Sequence, residues 1–484
     1  MRHFLPALLL VPLLLTGGCG QTTDDSPLSV SVIGTTPEVA DPNRNRLGAP
    51  DAALISAVAQ GLVRYDASGQ IEAGLAIRWA ISEDGLYYTF RLAAIEGLDA
   101  ELVAKRLRAT IARRSENTLK PILGAIDEIV AVTPQVVEIR LRAARPNLLD
   151  LLAQPEMAII DKKIATGPLI ISREQGRLLY LQPKPSEDDD PESAAEIGRR
   201  SVLLRGERAG LAVARFAAGE ADLVLAGSFD DLPIARAANP RPRDLRFDPV
   251  AGLFGLAAVD RNGFIGNSEN RRALAMAVDR DRIASAFGLS SSSIVTSVVA
   301  PGTTELPQPS QPGWSGRDLG VRRQDAATTI RVWKITHPDA DAHVRISLPS
   351  GPGSRLLFAM LKADFAAIGV ESERVAMSED ADLRLIDEVV PAQMATWYLR
   401  KFTCDHNPVC SDAADTALKL AREASHPIER AARIADADLR LTELVPYIPI
   451  AQPLRWSLVA PRVTQFVANN RGVHPLNHLV ADTR

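Results

Sequence analysis

Residues 271–287 read RRALAMAVDRDRIASAF, and Gly288 follows them. This stretch predicts a helix over Arg271–Phe287 that ends at the glycine, because glycine readily adopts the left-handed conformation found after a helix. Within the stretch, Asp279 and Arg280 are adjacent, and we interpret them as a structural charge pair on the helix rather than as ligand-binding groups. The stretch is therefore predicted to hold the fold.

Strand and helix patterns alternate on both sides of this helix. Strands are predicted where apolar side chains alternate or β-branched residues cluster: Ser29–Ile33, Leu86–Leu92 and Val137–Leu141. Helices are predicted where apolar side chains recur on one face: Ala53–Leu62, Asp99–Arg113 with Asp99 as its cap, and Ser354–Ile368 before Gly369. This alternation indicates α/β lobes. A chain of 484 residues exceeds what one core usually supports, so two or three lobes are expected.

The first residues have the pattern of an export signal. The apolar stretch Phe4–Leu15 is shorter than the about 20 residues that span a bilayer as a helix. It runs into Thr16-Gly17-Gly18-Cys19, which resembles the lipobox of bacterial lipoproteins, where the cysteine is acylated and becomes the first mature residue. We therefore expect residues 1–18 to be a signal peptide, Cys19 to be lipidated and residues 19–27 to be a flexible tether. The alternative is an ordinary signal peptide cut nearby.

Composition narrows the classes of partner. The net charge is −4, and 46% of the residues are hydrophobic while 24% are charged. This composition supplies no basic field for wrapping a polyanion, so nucleic acid is not expected as a partner. No later stretch is long and apolar enough to span a bilayer, so the membrane is expected to be contacted through the N-terminal lipid only.

Two of the three cysteines lie close together. Cys404 and Cys410 are separated by five residues that include Pro408, which helps the chain turn back. In an exported protein, an even number of remaining cysteines in a short loop favours a disulfide. The alternative is a metal site that adds Asp405 and His406, although its ligand set is sparse.

The chain lacks the sequence signatures of common enzymes. It contains no G-x-S-x-G elbow, no H-E-x-x-H motif and no P-loop. No sequence motif therefore pairs a nucleophile with a general base. His474 and His478 are four positions apart, but Pro475 and Asn477 interrupt a continuous helix face, so we predict no metal ligands there. We expect a protein that is not an enzyme and has neither a cofactor nor a metal.

Several blocks along the chain carry a recognisable combination of residues. In chain order they are Gln60–Asp66 with Gly69, Gly74–Trp79, Ser82–Leu92, Thr166–Pro168, Phe216–Asp222, Arg271–Arg280 and Ile368–Val370. Together they resemble the peptide/nickel class, family 5, of extracellular solute-binding proteins, the oligopeptide- and dipeptide-binding lipoproteins of ABC importers. Arg271–Arg280 resembles the most specific block of that family.

The resemblance implies an architecture. It implies an α/β, two-lobed periplasmic-binding-protein fold of the class II type with an additional inserted domain and a hinge between the lobes. The first lobe is expected to comprise residues 27–45, 165–258 and 452–484. The inserted domain is expected at 46–164 and the second lobe at 259–451. Ligand is expected to bind between the lobes as the hinge closes.

The resemblance also implies a site. Family members that take peptides hold the α-amine with an acidic residue near an aromatic one, because a desolvated ammonium needs a charge partner. The corresponding stretch here, Ala381–Pro391, keeps acids but lacks the family's tryptophan, so the ligand class is open. We predict Asp387 as the ammonium partner and Trp397 as a cleft wall. The alternatives are a surface carboxylate for Asp387 and a core position for Trp397.

The resemblance implies a function and its partners. We expect a monomeric, lipid-anchored periplasmic receptor that captures a peptide or similar small solute and delivers it to an ABC permease and ATPase complex. The alternative is a non-transport envelope protein, a sensor, chaperone or scaffold that keeps the solute-binding fold. Gly20 supports this alternative, since an aspartate after the lipidated cysteine favours retention at the inner membrane and glycine does not. The anchoring membrane is therefore left open between inner and outer.

Overall fold

The computed structural model describes residues 26–161, 164–184, 194–424 and 426–480. The predicted signal peptide, the predicted lipidation site Cys19 and the predicted tether up to residue 25 lie outside the described residues. Within these ranges, no helix combines the length and the apolar character needed to cross a membrane.

Strands and helices alternate along the described chain. The strands are β1 (Leu28–Ile33), β2 (Val63–Tyr65), β3 (Ile71–Ala73), β4 (Ala76–Ile81), β5 (Tyr87–Leu92), β6 (Ile126–Thr133), β7 (Val136–Leu141), β8 (Leu169–Gln175), β9 (Leu178–Pro183), β10 (Val202–Glu207), β11 (Leu223–Ser228), β12 (Leu245–Asp248), β13 (Gly252–Ala258), β14 (His343–Ser347), β15 (Glu371–Val375), β16 (Leu383–Val389), β17 (Tyr447–Ala451) and β18 (Arg455–Val459). The helices are α1 (Ala49–Val58), α2 (Ala100–Ile111), α3 (Leu148–Leu152), α4 (Ala194–Arg199), α5 (Ala209–Ala217), α6 (Leu232–Ala237), α7 (Gly263–Gly266), α8 (Ser268–Ala277), α9 (Arg280–Phe287), α10 (Leu319–Thr336), α11 (Pro352–Ala366), α12 (Ala395–Arg400), α13 (Asp412–Glu423) and α14 (Pro427–Leu444). Short 3-10 turns lie at Lys120–Ile122, Pro155–Met157, Ser291–Ser293 and Leu476–His478.

A seven-stranded sheet is the base of one lobe, in the order β12-β18-β11-β1-β10-β9-β8. β1 lies at its centre and runs parallel to β10 and β11, while the outer pairs are antiparallel. Both faces of β1 are covered, since the adjacent residues Val30 and Ser31 are fully buried. A short, β-branched apolar run is the composition that such a central strand needs. The predicted strand Ser29–Ile33 is confirmed.

An antiparallel sheet of four strands, in the order β4-β5-β7-β6, is built from residues 76–141. Every second side chain of β5 is buried, as the alternation predicted: Tyr88, Phe90 and Leu92. Helix α2 packs on β6 and β7, and the carboxylate of Asp99 accepts a hydrogen bond from the Leu102 N–H at 2.8 Å. This bond satisfies one of the free N–H groups at the helix start. The strand and the helix cap predicted in this region are confirmed.

A five-stranded sheet is the base of the other lobe, in the order β15-β14-β16-β13-β17. Its β14 runs parallel to β15 and β16, whereas β13 pairs antiparallel with β16 and β17. The predicted first lobe ran to residue 258, but residues 252–258 form β13 of this second sheet. Helix α1 contacts β1 and β8 of the first sheet. We therefore propose lobe boundaries that follow the sheets, with the second lobe starting at Gly252 and the inserted domain starting after Val58.

The helix predicted over Arg271–Phe287 is wrong in one respect, because the chain forms two helices there, α8 and α9. The break falls at Val278, whose backbone is extended at ψ 123°. Asp279 then caps α9 through a hydrogen bond from the Arg282 N–H at 3.0 Å, and its own N–H donates to Asp364 of α11 at 3.0 Å. The predicted stop is confirmed, since Gly288 is left-handed with φ 66°.

The helix predicted over Ala53–Leu62 also differs in its limits. Helix α1 ends at Val58, and Ala59 is already extended. Beyond it the backbone is bound elsewhere, because the carbonyls of Gly61 and Leu62 each accept a hydrogen bond at 2.9 Å, from Leu75 and Ala76. These long-range backbone bonds end the helix earlier than the apolar spacing predicts.

An aromatic cluster joins the two lobes. Phe229 directly follows β11, and its ring centroid lies 4.9 Å from that of Phe254 in β13 and 5.9 Å from that of Phe287 in α9. Beside it, the Trp456 indole of β18 donates to the Ser228 carbonyl at 2.8 Å. The two sheets therefore share one continuous hydrophobic cluster at their junction.

Cys404 and Cys410 form a disulfide, which confirms that prediction and removes their sulfurs from the alternative metal site. Replacing both with serine is expected to lower the unfolding free energy by about 2 kcal/mol, because even a short closed loop restricts the unfolded chain. Thermal denaturation with and without reductant measures this. The wild type should melt lower in reductant and the double variant should not respond; a wild type that ignores reductant would contradict the assignment.

Candidate functional site

The two sheets meet at a charge pair. Asp387 lies on β16 of the five-stranded sheet, and Arg455 is the first residue of β18 in the seven-stranded sheet. The Arg455 Nη1 is 2.8 Å from the Asp387 Oδ1, and the side chains are 20% and 16% exposed. A second guanidinium nitrogen, Nη2, donates to the Asp387 backbone carbonyl at 3.2 Å. Each lobe thus supplies one charge to a largely buried ion pair.

Burial dominates the electrostatics of Asp387. Burial raises the pKa of this carboxyl above its usual value, and the Arg455 guanidinium opposes that shift. Glu388 and Asp230 raise the pKa further by repulsion. An ionised carboxylate in such surroundings gains from each additional cation or hydrogen-bond donor. The position suits recognition of a positively charged group.

Trp397 lies on α12, the helix that follows β16. Its side chain is only 7% exposed, and its ring packs edge-on against Tyr398 with centroids 5.0 Å apart. The Lys401 ammonium lies 5.0 Å from the centre of the Trp397 ring and 2.5 Å from Glu388 Oε2. Lys401 therefore connects the predicted aromatic residue to the acid that follows Asp387.

A polar cluster lies where the inserted domain, the loop after β16 and the C-terminal segment meet. Arg471 donates to the Pro391 carbonyl at 3.3 Å, forms an ion pair with Asp150 and lies 5.1 Å from the centre of the Tyr65 ring. Gln154 donates to the same Pro391 carbonyl at 2.8 Å and to the Tyr65 hydroxyl at 3.0 Å. These bonds fix the relative position of three chain segments around the site.

A second contact between the lobes lies at the start of α11. The Asp230 carboxylate, just after β11, accepts hydrogen bonds from the Gly351 and Ser354 N–H groups at 3.1 and 2.8 Å. The approach is close enough that a Cβ on Gly353 would lie 2.1 Å from the Phe229 carbonyl oxygen. An anion at a helix N-terminus is stabilised by the free N–H groups there. Asp230 thus anchors the second lobe to the first beside the charge pair.

The two predicted ligand-binding residues lie on neighbouring elements, and Lys401 contacts Trp397 and Glu388, the residue after Asp387. The predictions for Asp387 and Trp397 stay predictions, with the structure placing Asp387 at the junction of the lobes and Trp397 mostly in the interior. Sequence reasoning missed Arg455, because a single arginine in a β-strand carries no signal among 55 lysines and arginines. It missed Lys401 for the same reason.

The histidines of the C-terminal segment have separate carboxylate partners. His474 Nε2 lies 3.1 Å from Asp248 in β12, and His478 Nε2 lies 2.8 Å from Glu72 in β3. Across the residues that the structure describes, no group of three or more histidine, cysteine or acidic side chains is arranged to hold a metal ion.

One lobe on a seven-stranded sheet, a second on a five-stranded sheet and a charged junction between them define the class of two-lobed solute-binding proteins. The chain belongs to the bacterial extracellular solute-binding proteins, family 5, whose family profile matches residues 70–400, more than half of the chain. The resemblance predicted from the sequence blocks is therefore confirmed, and so is the fold class.

Individual known proteins are also similar to this chain in structure or in sequence. The structure is similar to that of Haemophilus influenzae OppA in complex with RPPGFSPFR, with a TM-score of 0.77, 16% identity and coverage of 94% of this chain and 99% of that one. The murein tripeptide binding protein MppA of Escherichia coli gives a TM-score of 0.75 at 15% identity, with the same coverage. At such identities the likeness shows the fold alone. A nickel-binding periplasmic protein of Escherichia coli is 30% identical over 137 residues, which cover 24% of this chain and only 26% of that relative.

Proposed function

We propose that this chain captures a small solute between its two lobes, at the junction marked by Asp387 and Arg455, for uptake by an ABC permease and ATPase. The observation that carries the proposal is this charge pair, because its two members come from different lobes and approach to 2.8 Å. A solute that inserts between them makes contact with both lobes at once. Binding is then coupled to the relative position of the lobes.

The proposed solute is a peptide or a similar small molecule with both an amine and an acid group. Asp387 offers a carboxylate to an ammonium, and the planar Arg455 guanidinium offers paired N–H groups to a carboxylate. Such a solute replaces each half of the existing pair with a group of the same charge. Two of the similar structures are described as a peptide complex and a tripeptide-binding protein, which supports this solute class.

The rest of the proposal concerns location and mode of action. We place the protein in the periplasm, held to a membrane by a lipid on Cys19, which would keep the receptor near its permease. Its action is recognition with no bond made or broken. Family membership supports this role, since the family consists of extracellular solute-binding proteins.

The change Asp387→Asn tests the proposed site. It is expected to weaken binding of an amine-bearing peptide by about tenfold or more, because the desolvated ammonium loses its charge partner. Thermal-shift screening with unmodified tri- and tetrapeptides selects a peptide, and calorimetry then measures its affinity. The matched control is Asp325→Asn in α10, where an exposed carboxylate pairs with Arg317 at 2.6 Å. Equal affinity in wild type and the Asp387 variant would sink the assignment.

One observation favours the alternative of a non-transport envelope protein. Asp387 already has an internal cation, so the pair that it forms with Arg455 is neutral without a solute. Under this alternative, gently purified protein releases no small molecule in denaturing mass spectrometry, and neither the peptide screen nor a nickel salt raises its melting temperature. Under the transport proposal, at least one of these measurements detects a bound solute.

A further inference from the structure

A cavity lies away from the charge pair, between the inserted domain and the helices of the second lobe. It encloses about 620 Å³ and is lined by the segments around Ile122 and Arg145 on one side and by α12, α13 and α14 on the other. Met394 lines it, whereas Pro391 three residues earlier contacts the polar cluster. The volume falls within the range of small-molecule sites.

Arginines dominate the charged lining of this cavity: Arg142, Arg145, Arg400, Arg422 and Arg430. Arg430 is already bound, since it forms an ion pair with Glu305 and donates to the Ala421 carbonyl at 3.0 Å. Among the described residues, Arg142 and Arg145 donate only to backbone carbonyls, those of Gly124 and Ala144.

Two of the three lining arginines on the second lobe, Arg400 and Arg422, differ from Arg430 in their partners. Within the described part of the chain, neither guanidinium takes part in a hydrogen bond or an ion pair. The three carboxylates in the lining, those of Asp405, Asp415 and Glu423, form no ion pair with them. Arg400 is partly buried, where a guanidinium is normally paired, so its N–H donors are available to a ligand; Arg422 is exposed beside it.

The electrostatics agree with this arrangement. Burial lowers the pKa of Arg400, the positive charge of Arg422 lowers it further, and the negative charge of Asp405 opposes the shift. Burial likewise lowers the pKa of Arg145 to about 10, with a further contribution from Arg430. Arg400 and Arg422 therefore repel each other, as do Arg145 and Arg430, although Glu305 offsets part of the shift at Arg145. An anion placed beside these guanidinium groups reduces the repulsion.

The frame around these arginines is held in place. The disulfide Cys404–Cys410 closes the loop that contributes Asp405 and His406 to the lining. The Thr396 N–H and hydroxyl at the start of α12 both donate to Glu305, at 3.1 and 3.0 Å. A site whose side chains stand on fixed elements loses less entropy on binding.

We propose that this cavity binds a small anion that carries at least two carboxylate or phosphate groups, held by Arg400 and Arg422 from one side and by Arg145 from the other. Guanidinium groups bind both kinds of oxyanion through paired N–H donors. The site lies apart from Asp387 and Arg455 and does not depend on the solute proposed for the cleft. It spans the inserted domain and the second lobe, so its ligand would also hold these two parts together.

Calorimetric titration of the full mature chain with citrate and, separately, with inorganic pyrophosphate tests the proposal. At least one of them is expected to bind in a saturable manner, and the change of both Arg400 and Arg422 to glutamine should weaken that binding by about tenfold or more. Citrate alone would identify a polycarboxylate site, and pyrophosphate alone a phosphate site. Failure of both anions to bind overturns the proposal, as does unchanged binding in the double variant.

Two controls keep these outcomes distinct. Arg331→Gln replaces an exposed arginine of α10 and should leave anion binding unchanged, which separates a specific site from general loss of positive charge. Circular dichroism checks the fold of each variant, and the single change Arg422→Gln, at an exposed position, carries the test alone if Arg400→Gln prevents folding. Peptide binding in the cleft is measured on the same variants, so that failure of one site is not read as failure of the other.

Discussion

Replacing Arg271 with alanine is expected to lower the unfolding free energy by about 3–5 kcal/mol. Arg271 is 2% exposed and donates four hydrogen bonds to backbone carbonyls. Two go to the end of α14, to Leu444 at 2.6 Å and Val445 at 2.9 Å. Two go to the end of α7, to Ile265 at 2.8 Å and Gly266 at 2.9 Å. Alanine leaves these carbonyls without a partner in a region that water reaches poorly.

The charge of Arg271 adds to the effect. The last carbonyls of a helix carry partial negative charge, so a cation there is stabilising. Burial lowers the pKa of Arg271 to about 10, which still leaves the side chain protonated at neutral pH. Lysine keeps the charge but not the planar fork, and its single ammonium does not reach two helix ends together. We expect Arg271→Lys to lose about half of the stability that alanine loses.

The neighbouring arginine is a matched control. Arg272 is on the same helix, but its side chain is 38% exposed and pairs with Glu269 at 2.8 Å. Arg272→Ala should cost less than about 1 kcal/mol, because exposed ion pairs contribute little. Urea denaturation followed by circular dichroism compares the two variants. Similar urea midpoints for the two variants would show that the four carbonyls find other partners. Arg271 would then not be what holds α7 and α14 together.

Helix ends show which features of the fold the sequence could predict and which it could not. Gly288 as a helix stop and Asp99 as a cap were predicted because each depends on neighbours in the chain. The break at Val278 was not predicted, since it depends on Asp364, which binds the Asp279 N–H from another helix. Arg280 was predicted to pair with Asp279, but it is 3% exposed and donates to the Pro449 carbonyl at 2.9 Å.

The candidate site was predictable only in part, for a related reason. The family resemblance predicts an acidic residue in the stretch that contains Asp387, so one member of the charge pair follows from the sequence. Its partner, Arg455, is 68 residues away and belongs to the other sheet. No local pattern marks such a residue, because its role arises only when the C-terminal segment adds β18 to the seven-stranded sheet. The same holds for residues 252–258, whose strand pairing decides the lobe to which they belong.

The last prediction concerns the junction of the lobes. Phe229→Ala is expected to lower the unfolding free energy by about 3–5 kcal/mol, because it removes a large ring from a closed core. The ring is 2% exposed and contacts Phe254 and Phe287 of the second lobe. Its backbone is held by close packing against Gly353, so the surroundings have little freedom to collapse into the space. Phe229→Leu fills most of that space and should cost about 1 kcal/mol.

The position of Phe229 adds a second expected result. Since its side chain joins the sheets, its loss should weaken the coupling between the lobes as well as the total stability. Differential scanning calorimetry of Phe229→Ala is therefore expected to show a broadened or divided transition at lower temperature. Phe247→Ala in β12 is the control, because that ring is 38% exposed and lies on one sheet only. If Phe229→Ala melts as Phe247→Ala does, the lobes are held together by the charge pair and Asp230 instead of by the aromatic cluster.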